Sequence, residues 1–456
     1  MGQQSAKEPA EEMPEASRKT TPTRPLNERT APLLRAAGKS VVAKIVTLPI
    51  TAAAMLLTTR VMVDSLGLPG YALVTLAVTL PTMIPLGDLG VGAAIINALA
   101  QCRDSDREPV RQTVVSGART LTYAGALIAV VGIVPACLGA WTPALGRTAQ
   151  PGTDACVAVA FAAFGYSLPF SLGKSLLIAL NRTHIALFMQ AAGSVLALVL
   201  LLIAAVIHAP IAAFAASGFL AQCAVGVVCL VLASRLLAMP LLSLVAGTWR
   251  RCQPASRIRH LTAPMLVINA GSSVAYTTDR LVLSHVADPA AVAVYSAGAQ
   301  LFTPAIGLIG IAGVPLWTLF AHQREARDAP SRRDLATLTL CFAAGGVLMG
   351  TAFVALGPAV GSWMVHDRVH VGAGLMAAFA ALLFVQALNY PVSMWLTDAV
   401  GLRFQALRIS IMAVINLVLS IPLACLIGAP GPVIGSVVAF SAVVLIPSLR
   451  RAMSRA

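Results

Sequence analysis

An all-α polytopic membrane protein, with about twelve transmembrane helices in two six-helix repeats, is the fold class this sequence predicts. Three observations predict it. Hydrophobic residues make up 58% of the 456. Charged residues make up 11%, against about 25% in an ordinary soluble protein. The apolar residues also gather in twelve long runs, each with the roughly 20 residues that a helical crossing needs. The runs are continuous rather than alternating with period two, which excludes a β-barrel. The low charge density also excludes a soluble enzyme, a nucleic-acid binder and a secreted disulfide scaffold.

Residues 1–38 read as a disordered cytoplasmic tail. Its proline-rich, charged stretch to Pro32 carries almost no bulky apolar residue and cannot bury a core. No short apolar run with a small-residue cleavage site follows a basic start, so no signal peptide is expected. The first six-helix lobe, 39–234, holds runs at 41–63, 71–99, 114–139, 155–180, 184–207 and 210–234. Residues 235–260 form a cytoplasmic linker. Its apolar part, LLAMPLLSLVAGTW, is too short to cross and reads as an interfacial helix. The second lobe, 261–449, holds runs at 261–286, 291–320, 335–357, 372–397, 406–427 and 432–449, and a cytoplasmic tail, 450–456, closes the chain. The eight cysteines form no CxxC pair and lie mostly within apolar runs. They read as packing residues, and neither a metal nor a cofactor is expected.

Lysine and arginine set the orientation. With the amino end inside, the inner segments hold 25 of the 32 basic residues and the outer loops hold Arg147 and Arg368. The other five, Lys44, Arg60, Arg119, Lys174 and Arg280, lie within spans or at their ends. Both termini are therefore expected in the cytoplasm. The net charge of +14 is spread over every inner loop, which is a membrane signal rather than a nucleic-acid one.

The halves align at an offset of 220. Arg60 falls on Arg280, Pro69 on Pro289, Gly87 on Gly307, Gly90 on Gly310, Ala186 on Ala406 and Leu187 on Leu407. Six spans per copy is an even number, so both copies enter from the same side. They are expected to be related by an axis along the membrane normal, with a pathway between them.

The order of certain segments resembles a known group. A first span ending in Thr59-Arg60 is followed by LGLPGY (66–71) and then by DLGVGAAI (88–95) in the second span. DRLVL, a proline and VYSAGAQL follow over 279–301. Together these are similar to the polysaccharide flippases, of O-antigen and teichoic-acid exporter type, within the multidrug/oligosaccharidyl-lipid/polysaccharide exporter superfamily. The resemblance implies alternating access between two lobes in the bacterial inner membrane. It implies an undecaprenyl-pyrophosphate-linked oligosaccharide as cargo, with polysaccharide polymerase and glycosyltransferases as partners.

Such a cargo has an anionic diphosphate, a polar glycan and an apolar tail. Its head needs cations in a wet cavity, and ionisable groups within spans usually face one. Lys174, six residues before the end of the fourth run, Lys44, Arg60 and Arg280 are the candidate substrate-binding residues. Asp88 and Asp279 are candidates for coupling or for a structural role. Asp279 adjoins Arg280, but helix neighbours do not face each other, so no pair is expected. His366 and His370, in an outer loop, read as solvated. LGKS at 172–175 lacks the upstream glycine of a P-loop, because position 168 is Leu, and no enzymatic activity is expected. The alternative is a multidrug and toxic-compound extruder for cationic molecules, which would favour embedded acids over the bases seen here.

Overall fold

The computed structural model describes residues 26–84, 91, 92, 95, 99, 108–180, 182–237, 259–325, 332–366, 369 and 371–455. Every regular element among them is a helix. α1 (Leu26–Thr82) carries the first span and the start of the second. It begins inside the stretch whose composition marks it as a tail. Its apolar part, the 41 residues Val42–Thr82, would measure about 60 Å if straight, twice the thickness of a hydrocarbon core. Gly67 bends it, at φ 71 and ψ 177, a conformation that a Cβ penalises and glycine adopts freely. Pro69 then restarts the helix with its fixed φ. Hydroxyls along α1 bond back to the preceding turn: Thr51 to Thr47 O (3.1 Å), Thr59 to Met55 O (3.2 Å) and Thr75 to Ala72 O (2.9 Å). Such bonds let a polar residue sit in lipid without an orphaned group.

α2 (Glu108–Cys137) is followed by a turn built from α3 (Trp141–Ala144) and the short 3-10 helix Gly146–Thr148. Asp154 ties this turn down, accepting from Trp141 N–H (3.0 Å) and the Thr142 hydroxyl (2.6 Å). The fourth span is broken. It consists of α4 (Thr153–Ser167), a 3-10 turn at Leu168–Ser171 containing Pro169, and α5 (Leu172–Ala179). α6 (Thr183–Val206) and α7 (Ile211–Leu237) complete the lobe. The expected interfacial helix lies outside the described residues.

The second lobe comprises α8 (Arg259–Val286), α9 (Pro289–Glu325), α10 (Arg332–Met364), α11 (Ala373–Trp395) and α12 (Ala399–Ile427). Its last span runs from α13 (Pro430–Ala439) through a π-helical turn at Phe440–Leu445 into α14 (Ile446–Arg455). Ten helices among the described residues are long and apolar enough to cross a membrane. Beyond Gly67, α1 enters the expected second run, which continues past the described residues, and α8 occupies the expected seventh. α8 falls short in hydropathy because Ser272, Ser273, Thr277, Thr278, Asp279 and Arg280 interrupt it.

The repeat read from sequence is present in the packing. In lobe 1, α1 packs on α6, α2 on α4, α4 on α7 and α6 on α7. In lobe 2 the equivalent helices pair in the same way: α8 on α12, α10 on α11, α11 on α13 and α12 on α13. The lobes meet chiefly where α1 packs on α9. α12 shows how the sequence sorts its faces. Val414 and Val418 are 65% and 63% exposed to the lipid side, whereas Asn416 and Ser420 are wholly buried.

Candidate functional site

The seam between the lobes is polar. Midway along it the buried hydroxyls of Thr75 (α1) and Ser296 (α9) lie 3.2 Å apart. Arg280 (α8) donates from Nη1 to the Thr79 hydroxyl. Ser273 (α8) donates to Thr82 O at 2.9 Å. Thr82 lies fifteen residues past Gly67, which places this contact about 20 Å from the end of the bundle that carries the turn. The lobes are therefore joined from the Gly67 end past the middle of the membrane.

Two further contacts close the Gly67 end itself. Arg60 donates to Trp363 O (3.1 Å), its guanidinium carbon stands 4.4 Å from the Trp363 ring centroid, and Nη2 approaches His366 Nδ1 at 3.4 Å. His366 Nε2 faces Asp64 Oδ1 at 2.7 Å. Arg60 and Asp64 are one turn apart on α1, so a single helix face clasps the tip of lobe 2. Arginine only donates, so His366 Nδ1 serves as acceptor and Nε2–H faces the carboxylate. His366 holds φ 55, a left-handed conformation uncommon for a side-chain-bearing residue. On the other side of the seam, Gly146 presses against lobe 2: a Cβ there would lie 2.9 Å from Ser284 O. The offset of 220 takes Gly146 to position 366 and Asp64 to position 284, so these two contacts are symmetry counterparts with different chemistry. His366 was expected to be a solvated loop residue. Its side chain is instead 25% exposed and bridges Arg60 and Asp64 across the lobes.

Asp279 lies wholly within lobe 2. One carboxylate oxygen accepts from Ser420 Oγ (3.0 Å) and Asn416 Nδ2 (3.5 Å), and the other from Tyr295 OH (3.1 Å) and Ser436 Oγ (3.3 Å). The Ser436 hydroxyl also lies 3.0 Å from Asn416 Oδ1, so its one proton is shared between the two acceptors. These residues come from α8, α9, α12 and α13, so one carboxylate joins four spans. As expected, Asp279 and Arg280 do not pair. The cluster is rich in oxygen and carries a single negative charge, the donor set of a proton or a hard monovalent cation. Among the described residues no group of three or more His, Cys, Asp or Glu is placed to hold a metal.

Lys174 and Lys44 lie on neighbouring spans of lobe 1. The α5 residue Lys174 is exposed, its Nζ lies 3.5 Å from Gln190 Oε1 on α6, and Lys44 on α1 is near enough for the two charges to repel. Thus, of the six residues singled out from sequence, two cations share a site, Arg60 and Arg280 join the seam, and Asp279 forms its own cluster. Asp88 lies outside the described residues. The repeat makes these clusters more telling. Lobe-1 counterparts of Asp279, Tyr295, Asn416, Ser420 and Ser436 are Thr59, Thr75, Leu196, Leu200 and Ala216. Lobe-2 counterparts of Lys44, Lys174 and Gln190 are Pro264, Met394 and Ser410. Neither cluster belongs to the duplicated scaffold.

No family model matches the sequence, and no curated protein does. Solved structures do. The chain is similar to an inward-facing multidrug resistance MATE family transporter of the MOP superfamily, with TM-score 0.68 and 17% identity, over 90% of this chain and 98% of that one. It is similar to the lipid II flippase MurJ in an inward closed conformation, with TM-score 0.64 and 9% identity, over 91% and 87%. An outward-facing MATE family transporter gives TM-score 0.61 at 17% identity, over 92% and 96%. At these identities the likeness is one of fold, the two-lobed helical fold of membrane transporters.

Proposed function

We propose that this chain carries a lipid-linked oligosaccharide of undecaprenyl-pyrophosphate type across the bacterial inner membrane by alternating access between its two lobes. The observation that carries the reading is the placement of Lys174 on the broken fourth span, 3.5 Å from Gln190 and in the field of Lys44. Two like charges from different spans of lobe 1 lie within electrostatic reach of each other, at positions where lobe 2 has proline and methionine. Such a pair is costly in a membrane unless an anion shares it, and a diphosphate is such an anion. The tail stays in lipid while the head crosses. The Gly67 end is the outer one in this reading, following the excess of basic residues at the other end. The arrangement described is then closed to the outside, in keeping with the higher TM-score to the inward-facing transporter. Both termini are cytoplasmic, and polysaccharide polymerase and glycosyltransferases are the expected partners. Asp279 is the coupling group: a proton or monovalent cation taken up there would alter contacts among four spans at once.

Reconstitution tests this. Vesicles containing the protein should flip a fluorescent polyprenyl-diphosphate oligosaccharide, and Lys174→Gln should abolish most of that movement at unchanged abundance. Normal flipping by Lys174→Gln removes the support. A second reading, extrusion of a cationic drug, is favoured by the buried Asp279. It predicts raised drug sensitivity on deletion together with unchanged surface polysaccharide.

A further inference from the structure

Two arginines share one aromatic ring at the end of the bundle opposite Gly67. The guanidinium carbon of Arg451 (α14) stands 4.4 Å from the Phe404 centroid, and that of Arg408, one turn along α12 from Phe404, stands 5.2 Å from it. Their separation is thus no more than about 10 Å, one Debye length at moderate salt, and the charges repel. The Nε atoms of both are buried without a hydrogen-bond partner. Among the described residues neither guanidinium has a carboxylate partner. The platform itself is fixed: Phe404 packs against the cluster of Leu316, Phe320, Trp395 and Ala452. Arg403 and Arg450, next in sequence to Phe404 and Arg451, are exposed and add to the local positive field.

Like charges held on a rigid aromatic face, with donor groups left over, call for a counter-anion. A phosphate takes paired N–H···O bonds from a guanidinium. One phosphate bridging two guanidinium groups spaces their carbons by about 8 Å, within the limit set by the shared ring. The end of the bundle also selects the source. α14 places hydrophobic Leu449 and Ala452 against the core with arginines beside them, as an interfacial helix does at headgroup depth. Basic clusters at such a depth recognise anionic headgroups.

We propose that Arg408, Arg451 and Phe404 form a phosphate clamp that holds the headgroup of an anionic phospholipid against the second lobe. It is separate from the Lys44–Lys174 site, lies on the other lobe, and does not depend on the identity of the cargo. Its ring keeps the two cations within about 10 Å of each other, so the site prefers one bridging phosphate over diffuse counter-ions.

Native mass spectrometry of the full chain, delipidated in detergent and then titrated with phosphatidylglycerol, phosphatidylcholine or inorganic phosphate, tests this. The wild type is expected to retain one phosphatidylglycerol at least tenfold better than phosphatidylcholine. Arg408→Gln with Arg451→Gln should lose that preference, and Arg403→Gln with Arg450→Gln should keep most of it. Phe404→Leu, which keeps both charges but removes the platform, should weaken retention several-fold. If the double glutamine variant does not accumulate, the double lysine variant is read in its place, with a several-fold loss expected because the paired donors are gone. Displacement of the lipid by millimolar inorganic phosphate supports the clamp and makes free phosphate its occupant. No lipid preference in the wild type, or an equal preference in the double variant, overturns it.

Discussion

Arg60→Ala should release the Gly67 end of the seam. The substitution removes three contacts to lobe 2: the bond to Trp363 O, the stack on the Trp363 ring and the approach to His366. A charge-assisted hydrogen bond is worth about 1.5 kcal/mol or more when buried, and less here because the group is partly solvated. The stack adds roughly 0.5–1 kcal/mol. The Asp64–His366 contact remains; Asp64 is half exposed, so it contributes about 1 kcal/mol at most. The clasp therefore loses about 2 kcal/mol, a shift of roughly 30-fold toward the state open at this end. Thr75 reports on that state, being 7% exposed at the seam. In a background freed of native cysteines, Thr75→Cys should react with a membrane-impermeant maleimide about an order of magnitude faster when Arg60→Ala is added. Arg60→Lys should fall between, keeping a donor for the carbonyl but stacking less well. Trp363→Leu combined with Arg60→Ala should be less than additive, since both break the same contact. Unchanged labelling at normal abundance refutes the assignment of this clasp as a gate.

Four other outcomes follow from the geometry. Asp279→Asn should leave abundance near normal and cut transport at least tenfold, because the amide keeps most hydrogen bonds and loses the charge; normal transport in vesicles removes Asp279 from coupling. Asp279→Leu should lower thermal stability by about 1–3 kcal/mol, since Tyr295, Ser420 and Ser436 lose an acceptor; an unshifted melting curve contradicts the network. Gly146→Val should speed labelling at Thr75→Cys as Arg60→Ala does, because its Cβ meets Ser284 O and its φ of 56 disfavours a branched residue. A reporter fused after Arg333 should be cytoplasmic and one fused after Arg368 external, and the opposite result reverses the orientation.

Hydropathy was a good guide to the spans because lipid leaves the chain one solution, a helix, wherever about 20 apolar residues run on. α8 was legible even with Ser272, Ser273, Thr277, Thr278, Asp279 and Arg280 in it, since the run around them is long. The repeat was legible because Arg60, Pro69 and their partners at 280 and 289 occupy structurally demanding places: a seam contact and a helix start. The Asp279 cluster was half legible. The acid stood out, but Asn416 and Ser420 carried a usable signal too, two polar residues one turn apart in an otherwise apolar stretch. His366 was not legible. Its role depends on a left-handed backbone and on Arg60, 306 residues away, and neither leaves a local pattern. The nearness of Lys44 to Lys174 was likewise hidden, since the sequence marks each as a charge within a span but not as neighbours.

The threonines of α1 bear on how the lobes part. Each seam hydroxyl on this helix has a second partner waiting. Thr75 already donates to Ala72 O, and Thr79 to Thr75 O at 2.6 Å. When α8 and α9 withdraw, these groups keep a bond within their own helix, and the cost of about 1–3 kcal/mol for stranding a buried hydroxyl does not arise. Ser296, bonded across the seam to Thr75, faces water as the gap opens. The seam is thus adhesive without being committed, like a strip of fasteners that each close again on their own side. Exchanging Thr75 and Thr79 for residues of equal grip but no fallback would leave the lobes equally well joined and slower to separate.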